Sequence, residues 1–349
     1  MSFPKLGFEE TLLERVVSPK RCVGCGACVL VCPFGCLEYF EQQSRLVKKC
    51  EVCGICPRAC PRYEYSQQDL EQLVFGRKRE PTDEFGIYQR LVLSQTTDTN
   101  IAPIGQDGGI VTTLVTYAMK NGLIDGALLS GVSRDKPFHP TPVLAATPAE
   151  VLRCAGTRYT YSPNLLAIRE ALEQKRNSLA FVGTPCQIQA IRKMEAAKLR
   201  KFTGKIRFAI GLMCTESFTY QGLMEKQVQE TLGIKLHDIK KMNIKGKIIV
   251  TTYSGDVKTI SLAEAKRYTR KSCLSCQDFS AELADISAGG LGLDGWTMTI
   301  ARTERGRELF EAAEKVGVVR TRPVEEAKNS LNLLVKLSKK KRSHTSTLK

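Results

Sequence analysis

Histidine is scarce in this chain: His139, His237 and His344 are the three in 349 residues. None stands in a Cys–His arrangement suited to nucleophilic catalysis, and acid–base chemistry by imidazole has little to draw on. A single tryptophan is present, and no recognition motif accompanies the basic residues, which argues against a nucleic-acid partner. No stretch approaches 18 uninterrupted apolar residues, so no membrane span is expected. The opening MSFPKLGFEETLLERV carries acids early and lacks the apolar core of a secretory signal. Acids also disappear after Glu326, where Lys328, Lys336, Lys339, Lys340, Lys341, Arg342 and Lys349 follow. Nearly half of the net charge of +16 therefore sits in this tail, which reads as a docking or solvated surface.

Cysteine is abundant instead, with 14 residues. Without a sign of export, such density points to metal binding in a reducing cytoplasm rather than to disulfides. Residues 22–33 read CVGCGACVLVCP and residues 50–61 read CEVCGICPRACP. Each is C-x2-C-x2-C-x3-C-P, the spacing of bacterial two-cluster ferredoxins, in which the fourth cysteine of each run serves the other cluster. Cys22, Cys25, Cys28 and Cys60 are then one ligand set; Cys50, Cys53, Cys56 and Cys32 are the second. Gly24, Gly26 and Gly54 free the backbone to turn amides toward sulfur, and Ala27 and Ala59 permit close approach. The competing reading is structural zinc, which needs only four of the eight cysteines and gives no reason for either proline. Cys36 lies outside both sets and reads as a buried small hydrophobe.

A polar stretch, YEYSQQDLEQLVFGRKREPTDEFG, reads as a connection, and beyond Tyr88 strands and helices alternate. LVLSQT, GALLSGV, SLAFVG and KIRFAIG suggest strands. GGIVTTLVTYAMKNG, Asn164–Gln174, TPCQIQAIRKMEAAK and a segment near 218–231 suggest helices, and IIVTTYSGDVKTISL a hairpin. The expected class is α+β: a ferredoxin-like two-cluster domain over 1–66, a linker over 67–87, a mixed-sheet α/β domain over 88–323 and a basic helix and tail over 324–349. Gly290, Gly292 and Gly295 form G-x-G-x-x-G, but WTMTIA follows as a strand, so no dinucleotide site is assigned there. Gly108 and Gly109, opening a helix, form a better anion candidate through free backbone N–H groups, with Thr112 and Thr113 adding hydroxyls. Asp-Gly-Gly is nevertheless more often just a turn entering a helix.

Five cysteines remain in the body: Cys154, Cys186, Cys214, Cys273 and Cys276. Thr184 and Pro185 suit the N-cap and first position of a helix, which puts Cys186 in its first turn. Cys186 and Cys214 each follow a strand, and Cys273 and Cys276 form a C-x2-C pair. A four-thiolate site, zinc or iron–sulfur, fits this pattern; separate structural thiols and a helix-activated nucleophile at Cys186 fit it too.

The segments GQDGGIVTTL, GTRYTYSPN, GTPCQIQA, GLMC and CQDFSAELADISAGG resemble, in order, motifs of the family of coenzyme F420 hydrogenase/dehydrogenase beta subunits, over about residues 85–345. The resemblance implies an FAD-binding domain that exchanges electrons with the deazaflavin coenzyme F420. It also implies a 4Fe–4S cluster on Cys186, Cys214, Cys273 and Cys276, three clusters in all, with Cys154 left structural. Asp107, Gly108, Gly109 and Thr112 match the glycine-rich segment and are expected at FAD. Thr157, Tyr159, Ser162 and Asn164, with Gly183, Thr184 and Gln187, are expected to line the flavin pocket; Arg158 replaces a frequent lysine. The implied activity is oxidation of reduced F420 by hydride transfer to FAD, with single electrons passing through the clusters. Together with the ferredoxin-like extension, it implies the electron-input component of an F420H2:quinone or phenazine oxidoreductase, a respiratory assembly resembling complex I. The expected place is the cytoplasmic face of a membrane, through partner subunits or the basic tail. A related reductase for another substrate and a pure electron-wiring component are the alternatives.

Overall fold

The computed structural model describes residues 6–344. Its N-terminal segment places the two cysteine runs back to back. In each, the third cysteine enters a short helix: α1, Ala27–Val31, and α2, Cys56–Ala59. Gly24, Gly26 and Gly54 all have positive φ, the conformation expected of them, and Ala27 and Ala59 are fully buried. The hairpin of β1 (Leu37–Phe40) and β2 (Gln43–Leu46) turns through Glu41 and Gln42, both at positive φ, as the twist of a two-residue loop requires.

The stretch read as a linker is packed. It holds helix α3, Gln67–Phe75, started by the Ser66 hydroxyl, which accepts from the Asp69 N–H at 3.3 Å, and ended by Gly76 at φ 71°. Leu70 and Glu71 are buried, and Glu71 binds Arg79 at 2.9 Å. Polar composition conceals this helix because its buried stripe is one leucine and one paired acid wide.

Eight strands form the central sheet: β3 (Arg90–Thr96), β4 (Gly126–Val132), β5 (Pro140–Ala145), β6 (Leu179–Gly183), β7 (Ile206–Leu212), β11 (Ile286–Gly289), β12 (Thr297–Ala301) and β13 (Val319–Arg322). The order is β13-β3-β12-β11-β7-β6-β4-β5. The middle four, β11, β7, β6 and β4, run parallel, and the outer strands are antiparallel. Parallel strands are covered on both faces, which is why β6 reads as an unbroken apolar run. Alternation sorts their side chains. Leu128 and Phe181 face the helices α6 (Ala167–Glu173) and α7 (Pro185–Ala196), while Leu129, Ala180 and Val182 face α4 (Ile110–Lys120), α5 (Pro148–Arg153) and α10 (Glu304–Lys315). The first of these cores continues without a break into the ferredoxin segment, through Val23, Ala27, Leu30 and Ala59, and into α3 through Leu70. That segment is therefore built onto the body.

A three-stranded sheet of β8 (Ile239–Ile244), β9 (Lys247–Thr252) and β10 (Val257–Ser261) packs with a π-helical segment, Gln221–Thr231, as its own small core. The short helices α8 (Arg200–Thr203) and α9 (Leu262–Lys266) complete the connections. The segment CQDFSAELADISAGG supplies an internal pin. Asp285, wholly buried, accepts from Arg192 at 3.0 Å, Arg305 at 2.8 Å, Thr303 at 2.8 Å and the Ala209 N–H at 2.7 Å, tying α7, β7 and α10 together.

The C-terminal helix α11, Lys328–Arg342, corrects the solvated-tail reading for one of its faces. Leu334, Ser338 and Lys341 are buried against the body, and Arg342 pairs with Glu282 at 2.9 Å. Lys328, Lys336, Lys339 and Lys340 face outward, and Lys349 lies outside the described residues. Among the described residues, no helix is long and apolar enough to cross a membrane.

Candidate functional site

Twelve of the 14 cysteines are brought together in the three expected sets. Cys22, Cys25, Cys28 and Cys60 line one small cavity, closed by Leu12, Val16 and Ser44. Cys32, Cys50, Cys53 and Cys56 line a second, together with Cys36 and Phe34. Cys186, Cys214, Cys273 and Cys276 line a third, in the body. Cys36 is buried as expected, and its N–H donates to the Cys32 sulfur at 3.3 Å.

The donor chemistry fits iron–sulfur clusters. A single zinc needs its thiolates about 2.3 Å from one point, whereas these thiols surround a space. Among the described residues, no three His, Cys, Asp or Glu side chains converge tightly enough to hold one metal ion. Burial raises the thiol of Cys60 to about 11 and that of Cys56 to about 12, with repulsion from Cys22 adding to the first and from Cys50, Cys53 and Cys32 to the second. Cys214 is raised by burial and by Cys273, Cys186 and Cys276. Four ionised thiols held so close need a compensating multi-cation group. Backbone N–H groups already point at sulfur: Gly24 to Cys22 at 3.4 Å, Phe8 to Cys50 at 3.5 Å and Ser217 to Cys273 at 3.4 Å. Such donors tune cluster potentials.

Cys186 stands where the sequence places it, in the first turn of α7 after Thr184 and Pro185. The Thr184 hydroxyl lies 3.2 Å from its sulfur and the Tyr161 hydroxyl 3.5 Å. Neither contact is a base that would activate a nucleophile.

A larger pocket of about 290 Å³ opens at the C-terminal ends of β4, β6, β7 and β11, where open α/β sheets take ligands. Asp107, Gly109, Thr112, Thr157, Tyr159, Ser162, Asn164, Gly183, Thr184 and Gln187 all line it. Gly108 is the exception among the expected residues. Its N–H donates to the Thr297 hydroxyl at 2.9 Å, and a Cβ there would sit 2.4 Å from the Ser94 carbonyl. The Gly109 N–H is likewise taken, by the Gln106 carbonyl at 2.9 Å. The anion-cradle reading of these two N–H groups is therefore corrected: the first amides available to a ligand belong to Ile110, Val111 and Thr112 of α4. Thr113 turns away too, donating to Thr96 at 2.7 Å.

Several polar atoms at this pocket await a partner. The side-chain oxygens Ser130 Oγ, Ser162 Oγ, Asn164 Oδ1 and Gln106 Oε1 are buried without one. Gln187 is held in place, donating to the Ser162 carbonyl at 2.5 Å and accepting from the Thr184 N–H at 3.2 Å. Asp107 sits at φ 49°, and burial raises its carboxyl against the pull of Lys245 and Lys241. The loop of Gly290, Leu291 and Gly292 closes the floor, so GLGLDG serves the pocket although it opens no helix. A Cβ on Gly290 would meet Asp107 Oδ2 at 2.0 Å. Cys154, read as structural, also lines the wall. The planar, polar-edged group that such a pocket fits is compatible with a flavin.

Tyr161, Ser217 and Val23, not selected from the sequence, join these spaces together with Thr184, which was. Tyr161, Thr184 and Ser217 line both the pocket and the body cysteine cavity, and Val23 lines both that cavity and the first ferredoxin one. Arg62, Arg270 and Lys341 form cationic parts of the body-cavity wall. The Lys341 ammonium donates to the Cys273 carbonyl at 3.2 Å. Tyr161 was within reach as the inward partner of Tyr159 in TRYTYS; the three cations carry no local signal.

Comparison with known proteins agrees with this architecture. Residues 91–169 and 176–327 match the N-terminal and C-terminal parts of the coenzyme F420 hydrogenase/dehydrogenase beta subunit, and residues 15–38 match a 4Fe-4S binding domain. The chain is 39% identical over 262 residues to the coenzyme F420 hydrogenase subunit beta of Methanothermobacter thermautotrophicus, covering 74% of this chain and 92% of that one. It is 31% identical over 349 aligned residues to a subunit of the F(420)H(2) dehydrogenase of Methanosarcina mazei, covering 95% and 92%. A chain of the F420-reducing [NiFe] hydrogenase complex from Methanosarcina barkeri superposes with a TM-score of 0.72 at 38% identity, over 76% of this chain and 92% of that chain. A mixed α/β body with an N-terminal 4Fe–4S ferredoxin domain, matched in family, sequence and fold, makes this chain a member of the family of coenzyme F420 hydrogenase/dehydrogenase beta subunits.

Proposed function

We propose that this protein is an F420-dependent oxidoreductase that takes electrons from reduced F420 at the pocket on the C-terminal strand ends and delivers them singly through three 4Fe–4S clusters. The observation that carries this reading is the contiguity of four spaces. Pocket and body cavity share Tyr161, Thr184 and Ser217; body and first ferredoxin cavities share Val23; Cys28 of the first ferredoxin set feels Cys56 of the second.

FAD bound in the pocket would accept a hydride and release its electrons one at a time, the conversion a deazaflavin alone does not make. The chain's own residues hold and shield. Gln187, Asn164 and Ser162 present amide and hydroxyl groups to a polar ring edge, and Asn164 is fixed by donating to the Val182 carbonyl at 2.9 Å. Lys245 and Arg158 line the pocket and Lys241 acts on its Asp107, positive charge suited to an anionic coenzyme tail. Cys22, Cys25, Cys28 and Cys60, then Cys50, Cys53, Cys56 and Cys32, and Cys186, Cys214, Cys273 and Cys276, are the assigned ligand sets.

Two placements in a larger assembly have support. The similarity to the Methanosarcina mazei dehydrogenase component spans 95% of this chain, the ferredoxin segment included. It favours the electron-input component of a membrane-bound quinone or phenazine oxidoreductase, peripheral at the cytoplasmic face. The higher identity to hydrogenase beta subunits, over 74% of the chain, favours a role beside a hydrogenase.

The test is an anaerobic titration of protein reconstituted with iron, sulfide and FAD, using F420H2 and following flavin and cluster absorbance together. Bleaching of both, with about 12 iron per chain, supports the assignment. A flavin that stays oxidised while dithionite reduces every centre overturns it.

A further inference from the structure

The wall between the body cavity and the ferredoxin segment contains a guanidinium with unused donors. Arg62 follows Cys60 by two residues and lines the cavity of Cys186, Cys214, Cys273 and Cys276. Its Nη1 donates to the Pro61 carbonyl at 3.2 Å and to Gln189 Oε1 at 3.0 Å, which fixes the plane of the group. Its Nε and Nη2 are shut away from solvent with no partner. Buried donors are ordinarily matched, and guanidinium has no uncharged form to retreat to. The other two cations of this wall are differently placed. Arg270 donates to the Val23 carbonyl at 2.9 Å and stacks 4.2 Å over Tyr161, and Lys341 donates to the Cys273 carbonyl. Arg62 alone of the three has buried donors left over.

We propose that Arg62 is a positioning residue of electron transfer: its two free N–H groups donate to sulfur of the body cluster, and its fixed charge raises that cluster's reduction potential at the seam with the ferredoxin segment. The inference rests on the three-cluster reading. Reduction adds one negative charge to a cluster, so donors and positive charge beside it favour the reduced state. One electron arrives at the body cluster and one departs for the ferredoxin set. No bond forms, and no proton moves at Arg62. A charge shared across the seam keeps the electron from being stranded on the flavin side.

The test uses the full chain with all cofactors reconstituted, and an EPR-monitored redox titration of each cluster in Arg62→Gln, Arg62→Met and Arg62→Lys. Two neutral variants are compared so that at least one that retains the unaltered protein's iron content can be read. The expected result is a tenfold or greater fall in the body cluster's reduction constant in the neutral variant, about 59 mV for one electron. Arg62→Lys should recover half of it or more, because the charge is kept. A body-cluster reduction constant that changes less than about twofold in the neutral variants, or changes as far in Arg62→Lys, overturns the inference. Absence of a third cluster signal in the unaltered protein sinks the three-cluster reading instead, which separates the two failures.

Discussion

Replacing Asp285 by Asn tests whether the pin beneath the sheet holds the body together. The carboxylate is 0% exposed and accepts four hydrogen bonds, two of them from guanidinium groups. An amide keeps one acceptor oxygen and points two N–H donors at groups that also donate. Arg192, itself 1% exposed, then loses its partner on one side and retains Glu195 at 3.0 Å and the Leu283 carbonyl at 2.9 Å. Breaking a buried pair costs about 3–5 kcal/mol, and the surviving partners of Arg192 place this case near 3. At about 2–4 °C per kcal/mol for a domain of this size, the thermal midpoint should fall by about 6–12 °C. Circular dichroism melts of wild type and variant at equal iron content read it. The pH dependence follows from the folded carboxyl. Burial alone would raise it, but Arg192, Arg305 and the Ala209 N–H outweigh burial and hold it below 3.8. A depressed carboxyl stabilises at every pH above its unfolded value and loses that contribution as pH falls through the folded one. The wild-type advantage should therefore be level from about pH 8 to about pH 5 and shrink only below about 4. A midpoint shift under about 2 °C at neutral pH would refute the reasoning.

Cys214→Ser should remove one cluster and leave two, so iron falls from about 12 to about 8 per chain while both ferredoxin signals persist; loss of all iron would contradict independent sets. Gly290→Ala drives a methyl into Asp107 and should weaken FAD binding about tenfold, the scale of a 1–3 kcal/mol overpacking strain. Flavin released on denaturation measures it, and unchanged flavin content at unchanged iron would count against the assigned pocket. Leu334→Ala deletes a fully buried side chain of α11. A cost of about 2–5 kcal/mol should appear as faster hydrogen exchange across 328–342 and none in the ferredoxin segment.

What the sequence made legible was local. Each ferredoxin run brings three cysteines together within seven residues, so spacing alone reveals the set. The body cysteines are spread from 186 to 276, and what unites them is the parallel adjacency of β6, β7 and β11; the sequence offered only the strand runs before Cys186 and Cys214, and the resemblance implied the full set. Strands disguised by composition were missed: β5 begins with Pro140 and holds Pro142, β8 carries two lysines, and β13 alternates arginines. The anion reading of Gly108 failed because its N–H is taken by Thr297, 189 residues away. Arg62, Arg270 and Lys341 look like ordinary surface cations until tertiary placement encloses them.

The body cavity also dictates an order of assembly. Its wall takes Val23 and Arg62 from the ferredoxin segment and Lys341 from α11, with Cys186 to Cys276 between. Contacts such as Arg342 to Asp83, 259 positions apart, close a very long loop and need almost the whole chain before they can form. A nascent chain presents its ferredoxin cysteines first, and the wall around the body cysteines is complete only once α11 has left the ribosome. On the three-cluster reading, this one helix closes the delivery window for iron at the body site.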